Sequence, residues 1–72
     1  MQPTREQAIA TGNRLKQLRG IRTKTGLARE IGVSYSAYCF YEAGLRNPSG
    51  HVKQKIADYY NMPVEAIFYT DK

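Results

Sequence analysis

The segment 34–43 carries the side chains best suited to contact another molecule. Tyr35 and Ser36 have hydroxyls that donate and accept single hydrogen bonds. Cys39 and Phe40 offer apolar surface, of the kind that can touch a thymine methyl group. The segment contains no Lys, Arg, Asn or Gln, so it cannot make the bidentate hydrogen bonds that identify guanine or adenine. Any molecule bound here is therefore held by single hydrogen bonds and apolar contacts.

Catalytic and metal chemistry find no support in the sequence. There is no pair of carboxylates in an apolar context, no nucleophile beside a base, and no glycine-rich phosphate loop. Cys39 and His51 are the only cysteine and histidine, which is too few ligands for a zinc site. We therefore predict that the protein is not an enzyme and uses no metal, cofactor or small-molecule substrate.

The net charge of +5 is concentrated in one half of the chain. Residues 1–29 contain seven basic residues and one acidic residue, a net charge of +6, whereas residues 30–72 carry −1. A basic half can attract the phosphates of a nucleic acid. A solvated basic surface that serves only solubility is the alternative.

The sequence also indicates where the protein acts. It contains no run of about 18 apolar residues that could span a bilayer, and its first residues lack the pattern of a signal peptide. Its single cysteine cannot form an internal disulfide, which favours a reducing compartment. We expect a cytoplasmic protein that does not contact a membrane.

Two short helices joined at Gly32 are predicted for residues 23–44. Thr23 is expected to cap the first helix, Gly32 to end it with positive φ, and Gly44 to end the second. Apolar residues that can pack the two helices together are Leu27, Ala28, Ile31, Val33, Tyr38 and Tyr41. This is the layout of a helix-turn-helix.

Three more helices are predicted around this unit. A first helix is expected from a Thr4 cap to about Arg19, although Gly12 weakens it by about 1 kcal/mol. The part before Gly12 is therefore expected to be frayed or separately packed. Ser49 is expected to cap a fourth helix with an apolar stripe, and a fifth follows Pro63. The prediction is an all-α, five-helix, single domain spanning residues 1–72, with residues 1–11 as an N-terminal extension.

Five short segments follow one another at a regular spacing in residues 12–68. They are Arg14–Arg19, Leu27-Ala28, Gly32-Val33-Ser34, Glu42-Ala43-Gly44 and Arg46-Asn47-Pro48-Ser49. With these segments, residues 12–68 resemble the Cro and phage-repressor (XRE-type) family of helix-turn-helix regulators. The resemblance implies the five-helix bundle of the phage-repressor type, with residues 23–44 as its helix-turn-helix. It also implies a small phage or bacterial regulator of transcription that works in the bacterial host cell, in a switch of the lytic–lysogenic type.

The resemblance also implies roles for particular residues. Arg19 and Glu42 are expected to form a structural ion pair. Helix N-termini and the loop after the third helix touch phosphates in the family, which implies phosphate contacts at Thr23, Lys24, Arg46, Asn47 and Ser49. Backbone amides at helix N-termini favour anions, so the physics agrees with this assignment.

The second helix of the helix-turn-helix, residues 34–43, is the recognition helix in this family. Its residues differ from the usual ones in this chain, which leaves two functions open. The family commonly has Gln near its start and a basic residue about five positions later, where this chain has Tyr35 and Phe40. One function is an operator-binding regulator that contacts bases through Tyr35, Ser36, Cys39 and Phe40, aided by DNA shape. The other is an anti-repressor that binds a co-encoded helix-turn-helix repressor through the same residues. Alternatively, Tyr35 and Phe40 pack on neighbouring helices.

Overall fold

The computed structural model describes residues 4–68, which form five helices. These are α1 (Arg5–Arg19), α2 (Lys24–Ile31), α3 (Tyr35–Ala43), α4 (Gly50–Tyr60) and α5 (Val64–Phe68). No strand occurs within residues 4–68. The predicted all-α, five-helix fold is confirmed. Residues 5–11 of the predicted extension belong to α1, and residues 1–3 lie outside the described part.

Short polar residues set the starts of the first four helices. The side chains of Thr4, Thr23, Ser34 and Ser49 each accept a hydrogen bond from the backbone amide three residues later. Such N-caps satisfy amides that have no partner within the helix. The predicted caps Thr4, Thr23 and Ser49 are confirmed, and Ser34 caps α3 so that Tyr35 is its first residue.

Helices α2 and α3 end at the two glycines that the sequence predicts. Gly32 has φ 94° and Gly44 has φ 75°, both in the left-handed region that a side chain rarely adopts. The core lies beneath the two helices and holds Leu15, Leu27, Tyr38, Ile56 and Ile67, each almost completely buried. The helix-turn-helix is therefore fixed on an apolar base formed by α1, α4 and α5.

Helix α1 crosses α3 at Gly12. A Cβ atom at Gly12 would clash with the carbonyl oxygen of Glu42 and would lie 2.9 Å from that of Tyr41. The expectation that the part before Gly12 is frayed or separately packed is wrong, because α1 continues unbroken from Arg5 to Arg19. Gly12 lowers the helix propensity, but it permits close contact between the two backbones.

Candidate nucleic-acid interface

The turn between α2 and α3 holds the two helices in a fixed relation. The amides of Gly32 and Val33 both donate to the carbonyl of Ala28, at 2.9 Å and 3.0 Å. Ser34 then caps α3, with its Oγ accepting from the amide of Ala37 at 3.1 Å. The chain therefore leaves α2 and enters α3 with its backbone polar groups paired.

Helix α3 presents one face to solvent and one to the core. Tyr35 is 53% exposed and Phe40 is 40% exposed, with Ser36 exposed and Cys39 half-buried between them. The opposite face carries Tyr38, Tyr41 and Glu42, all buried. Tyr35 and Phe40 are therefore not core residues, and the four side chains singled out in the sequence form one accessible face. We call this set, Tyr35, Ser36, Cys39 and Phe40, the α3 face.

Tyr35 provides a hydroxyl group at the polar end of the α3 face. The nearby Cys39 side chain, one turn further along the helix, raises the pKa of the Tyr35 hydroxyl above its ordinary value. The hydroxyl therefore keeps its proton throughout the physiological pH range. Tyr35 is a neutral group that can donate or accept one hydrogen bond.

The apolar end of the α3 face is covered by a cation. The guanidinium carbon of Arg46 lies 5.4 Å from the centre of the Phe40 ring, within the range of a cation–π contact. Arg46 belongs to the loop between α3 and α4, so this contact links the loop to the recognition helix. The guanidinium keeps its charge and its hydrogen-bond donors in the contact.

The phosphate-contact candidates lie at two helix N-termini and in the α3–α4 loop. Thr23 and Ser49 are the caps of α2 and α4, and Lys24 is the first residue of α2. Arg46 and Asn47 lie in the loop, where Arg46 is exposed and Asn47 half-buried. The positions of these residues relative to the helices are those that the sequence predicts. Arg5, the first residue of α1, lies in one cleft with Arg46 and Asn47, a proximity that the sequence does not predict.

A buried network on the far side of α3 fixes the helix to α1. The Nε of Arg19 donates to Oε2 of Glu42 at 2.6 Å, and Nη2 donates to Oε1 at 3.2 Å. The hydroxyl of Tyr38 donates to the same Oε2 at 2.6 Å. Burial raises the pKa of Glu42, but the hydrogen bonds from Arg19 and Tyr38 outweigh it and hold the pKa below its ordinary value. Glu42 is thus a structural anion, and only the outer face of α3 is available to a ligand.

Other kinds of site are not evident in residues 4–68. No three His, Cys, Asp or Glu side chains in this range gather closely enough to hold a metal ion. None of the helices described is both long and apolar enough to cross a membrane.

These features define a helix-turn-helix protein with a solvent-facing recognition helix. A family model of helix-turn-helix proteins, HTH_3, matches residues 15–67. The chain belongs to this family, whose members are of the XRE, Cro and C1 type, and it is a DNA-binding helix-turn-helix regulator. Comparisons with curated proteins and with solved structures gave no match.

Proposed function

We propose that this protein regulates transcription in a phage-type genetic switch by binding operator DNA with the α3 face. The observation that carries the proposal is the exposure of that face on a helix whose other side is fixed to the core and to α1. A major groove admits one α-helix, and base edges are contacted by the side chains that project from it. Such a regulator would act in the cytoplasm of a bacterial host.

The α3 face limits how much sequence the protein can distinguish. Tyr35 and Ser36 each offer one hydroxyl, and Cys39 and Phe40 suit the methyl group of thymine. A bidentate contact gives about 1–3 kcal/mol of discrimination, and none of these four residues can make one. Much of the preference is then expected to come from DNA shape and deformability.

Affinity in this proposal comes mainly from the DNA backbone. Thr23, Lys24, Arg46, Asn47 and Ser49 supply side chains or helix N-termini for phosphate, and residues 1–29 add a net charge of +6. About six phosphate contacts would give a slope near −5 in a plot of log affinity against log salt, at about −0.9 per contact. A slope near zero would contradict operator binding.

Selection from a random duplex library tests the proposal directly. The purified protein is incubated with the library at low salt and at physiological salt, and the retained DNA is sequenced. Enrichment of a motif that survives physiological salt supports operator recognition. Retention without enrichment, or no retention, contradicts it.

The α3 face also favours a second candidate function, that of an anti-repressor. Two exposed aromatic rings with a polar edge resemble the centre of a protein interface, where aromatic residues supply much of the binding free energy. The partner in this case is a co-encoded helix-turn-helix repressor whose own recognition helix becomes covered. Replacing Tyr35 or Phe40 by Ala should then weaken the complex by more than about 1 kcal/mol. Unchanged affinity in both variants would contradict this candidate.

A further inference from the structure

A cleft lies beside the recognition helix, between the first turns of α1 and the α3–α4 loop. It is open to solvent and has a volume of about 330 Å³. Its lining residues are Thr4, Arg5, Ala8, Gly44, Leu45, Arg46 and Asn47. Two of these are arginines and none is acidic, so the cleft attracts anions.

The first turn of α1 is ordered by its own hydrogen bonds, and a close backbone approach holds it against the end of α3. On one wall, Thr4 and Gln7 form a reciprocal capping box, with hydrogen bonds of 2.9 Å and 3.1 Å. On the other wall, Gly44 approaches α1 so closely that a Cβ atom there would lie 2.9 Å from the Cα of Ile9. The cleft is thus a fixed feature of the packing of α1 against the end of α3.

Within the described part of the chain, the two cleft arginines, like Arg29, lack the polar partners that hold Arg14, Arg19 and Arg22. Arg14 donates to the carbonyl of Ala66, and Arg19 and Arg22 donate to a carboxylate or to backbone carbonyls. Within residues 4–68, no carboxylate or carbonyl accepts a hydrogen bond from Arg5 or Arg46. Their guanidinium donors therefore remain available to an anion.

Phe40 sets the direction of one of these two cations. The Arg46 guanidinium rests over its ring at 5.4 Å, which restricts a long side chain without consuming its donors. Ordering such a side chain before binding lowers the entropic cost of the contact. Phe40 can therefore act on a ligand through Arg46.

We propose that this cleft binds a backbone phosphate of duplex DNA through Arg5 and Arg46, with Phe40 as the residue that positions Arg46. The inference rests on the operator-binding function proposed above and extends its contact surface to the first turn of α1. Guanidinium groups match phosphate oxygens in geometry and charge. A DNA phosphate is favoured over a free anion because the cleft adjoins the α3 face through Phe40 and includes Asn47, itself a candidate for phosphate contact.

Salt dependence of DNA binding tests the role of the two arginines. Affinity for a mixed-sequence duplex of about 20 base pairs is measured over a range of salt concentrations for the wild type, Arg5→Gln and Arg46→Gln. The matched control is Arg29→Gln, because Arg29 is an exposed arginine in the last turn of α2 and does not line the cleft. Each cleft variant should reduce the steepness of the slope by about 0.9, and the control should reduce it by clearly less.

The positioning role of Phe40 has its own readout. Phe40→Leu should weaken duplex binding several-fold, whereas Phe40→Tyr, which keeps an aromatic ring beneath Arg46, should weaken it less. In an Arg46→Gln background, Phe40→Leu should cause a clearly smaller loss, because there is no guanidinium left to position. An equal loss in both backgrounds would show that Phe40 acts independently and would overturn its positioning role.

The outcomes separate this inference from the function on which it rests. If the wild type fails to bind the duplex even at low salt, the operator-binding function itself is contradicted. If the wild type binds with a steep slope and Arg5→Gln changes that slope no more than Arg29→Gln does, only the cleft assignment is overturned. Saturable binding of inorganic phosphate together with an unchanged slope in Arg5→Gln would identify a free-anion site and would also overturn it.

Discussion

Arg19 on α1 and Glu42 on α3 form a bidentate ion pair, with Nε 2.6 Å from Oε2 and Nη2 3.2 Å from Oε1. The Glu42 side chain is 2% exposed and that of Arg19 is 17% exposed, so the carboxylate is the more deeply buried partner. A buried ion pair adds little net stability over apolar residues, but removing one partner leaves an uncompensated charge. The position of the recognition helix on α1 therefore depends on both side chains.

Removing the cation should cost more than removing the anion. Arg19→Met leaves the Glu42 carboxylate buried with only the Tyr38 hydroxyl as a partner, and should lower the free energy of unfolding by roughly 3 kcal/mol. Glu42→Gln should cost less, because the Arg19 guanidinium can turn toward water. Urea denaturation measures both, with Arg29→Ala as an exposed control expected to stay within about 0.5 kcal/mol of the wild type. Equal losses in Arg19→Met and Arg29→Ala would contradict the structural role of the pair.

Stability should also depend on the protonation of Glu42. Burial raises the pKa of this carboxyl, but hydrogen bonds from Arg19 and Tyr38 lower it further, so its folded-state pKa is below the unfolded value. A group of this kind stabilises the fold above its unfolded pKa, about 4.3, and that stability is lost as the pH falls through the folded pKa. The free energy of unfolding should thus decline below about pH 4.3, and the decline should be shallower in Glu42→Gln. Urea denaturation across this range checks it, and identical pH profiles would refute the prediction.

Local signals in the sequence predict where the helices begin and end, but they do not predict which helices contact each other. Thr23, Gly32 and Gly44 set the helix-turn-helix by chemistry that acts within a few residues, and the structure places them as predicted. The prediction for Gly12 is wrong because helix propensity depends only on nearby residues. The close packing that Gly12 permits involves the backbone of α3, some thirty residues away. The proximity of Arg5 to the α3–α4 loop is not predictable from the sequence for the same reason. The cleft that Arg5 shares with Arg46 exists only once α1 lies against the end of α3.

The close crossing of α1 and α3 at Gly12 predicts that alanine substitutions at two helix glycines change stability in opposite directions. Gly12→Ala should destabilise the protein by about 2 kcal/mol or more, although Ala is the better helix former, because the new Cβ meets the backbone of α3. Gly50→Ala, at the start of α4 with nothing within 4 Å of its Cβ, should instead stabilise it by about 0.5–1 kcal/mol. Thermal or urea denaturation of the two variants shows whether each substitution lowers or raises the free energy of unfolding. A stable Gly12→Ala protein would mean that α1 and α3 pack less closely.

The neighbouring tyrosines at the end of α4 should also respond in opposite directions. The buried hydroxyl of Tyr60 has no hydrogen-bond partner within residues 4–68, whereas that of Tyr59 donates to Glu30 at 2.6 Å. An unpaired buried hydroxyl costs about 1–3 kcal/mol of desolvation. Tyr60→Phe should raise the free energy of unfolding by about 1 kcal/mol, and Tyr59→Phe should lower it slightly. Denaturation curves decide the matter, and destabilisation in Tyr60→Phe would show that its hydroxyl is paired.

Substitutions of two exposed residues distinguish the contribution of the α3 face to sequence preference from the contribution of the phosphate contacts to affinity. Tyr35→Phe removes only a hydroxyl, so it should weaken binding to a selected operator by about 1 kcal/mol and leave the salt slope unchanged. Arg46→Gln removes a backbone contact, so it should weaken binding to all sequences alike and flatten the slope by about 0.9. Repeating the library selection with each variant adds a second readout: Tyr35→Phe should relax the motif at one position, and Arg46→Gln should leave the motif intact. If Tyr35→Phe retained both the motif and the affinity while losing a co-encoded repressor as a partner, the α3 face would belong to a protein interface instead.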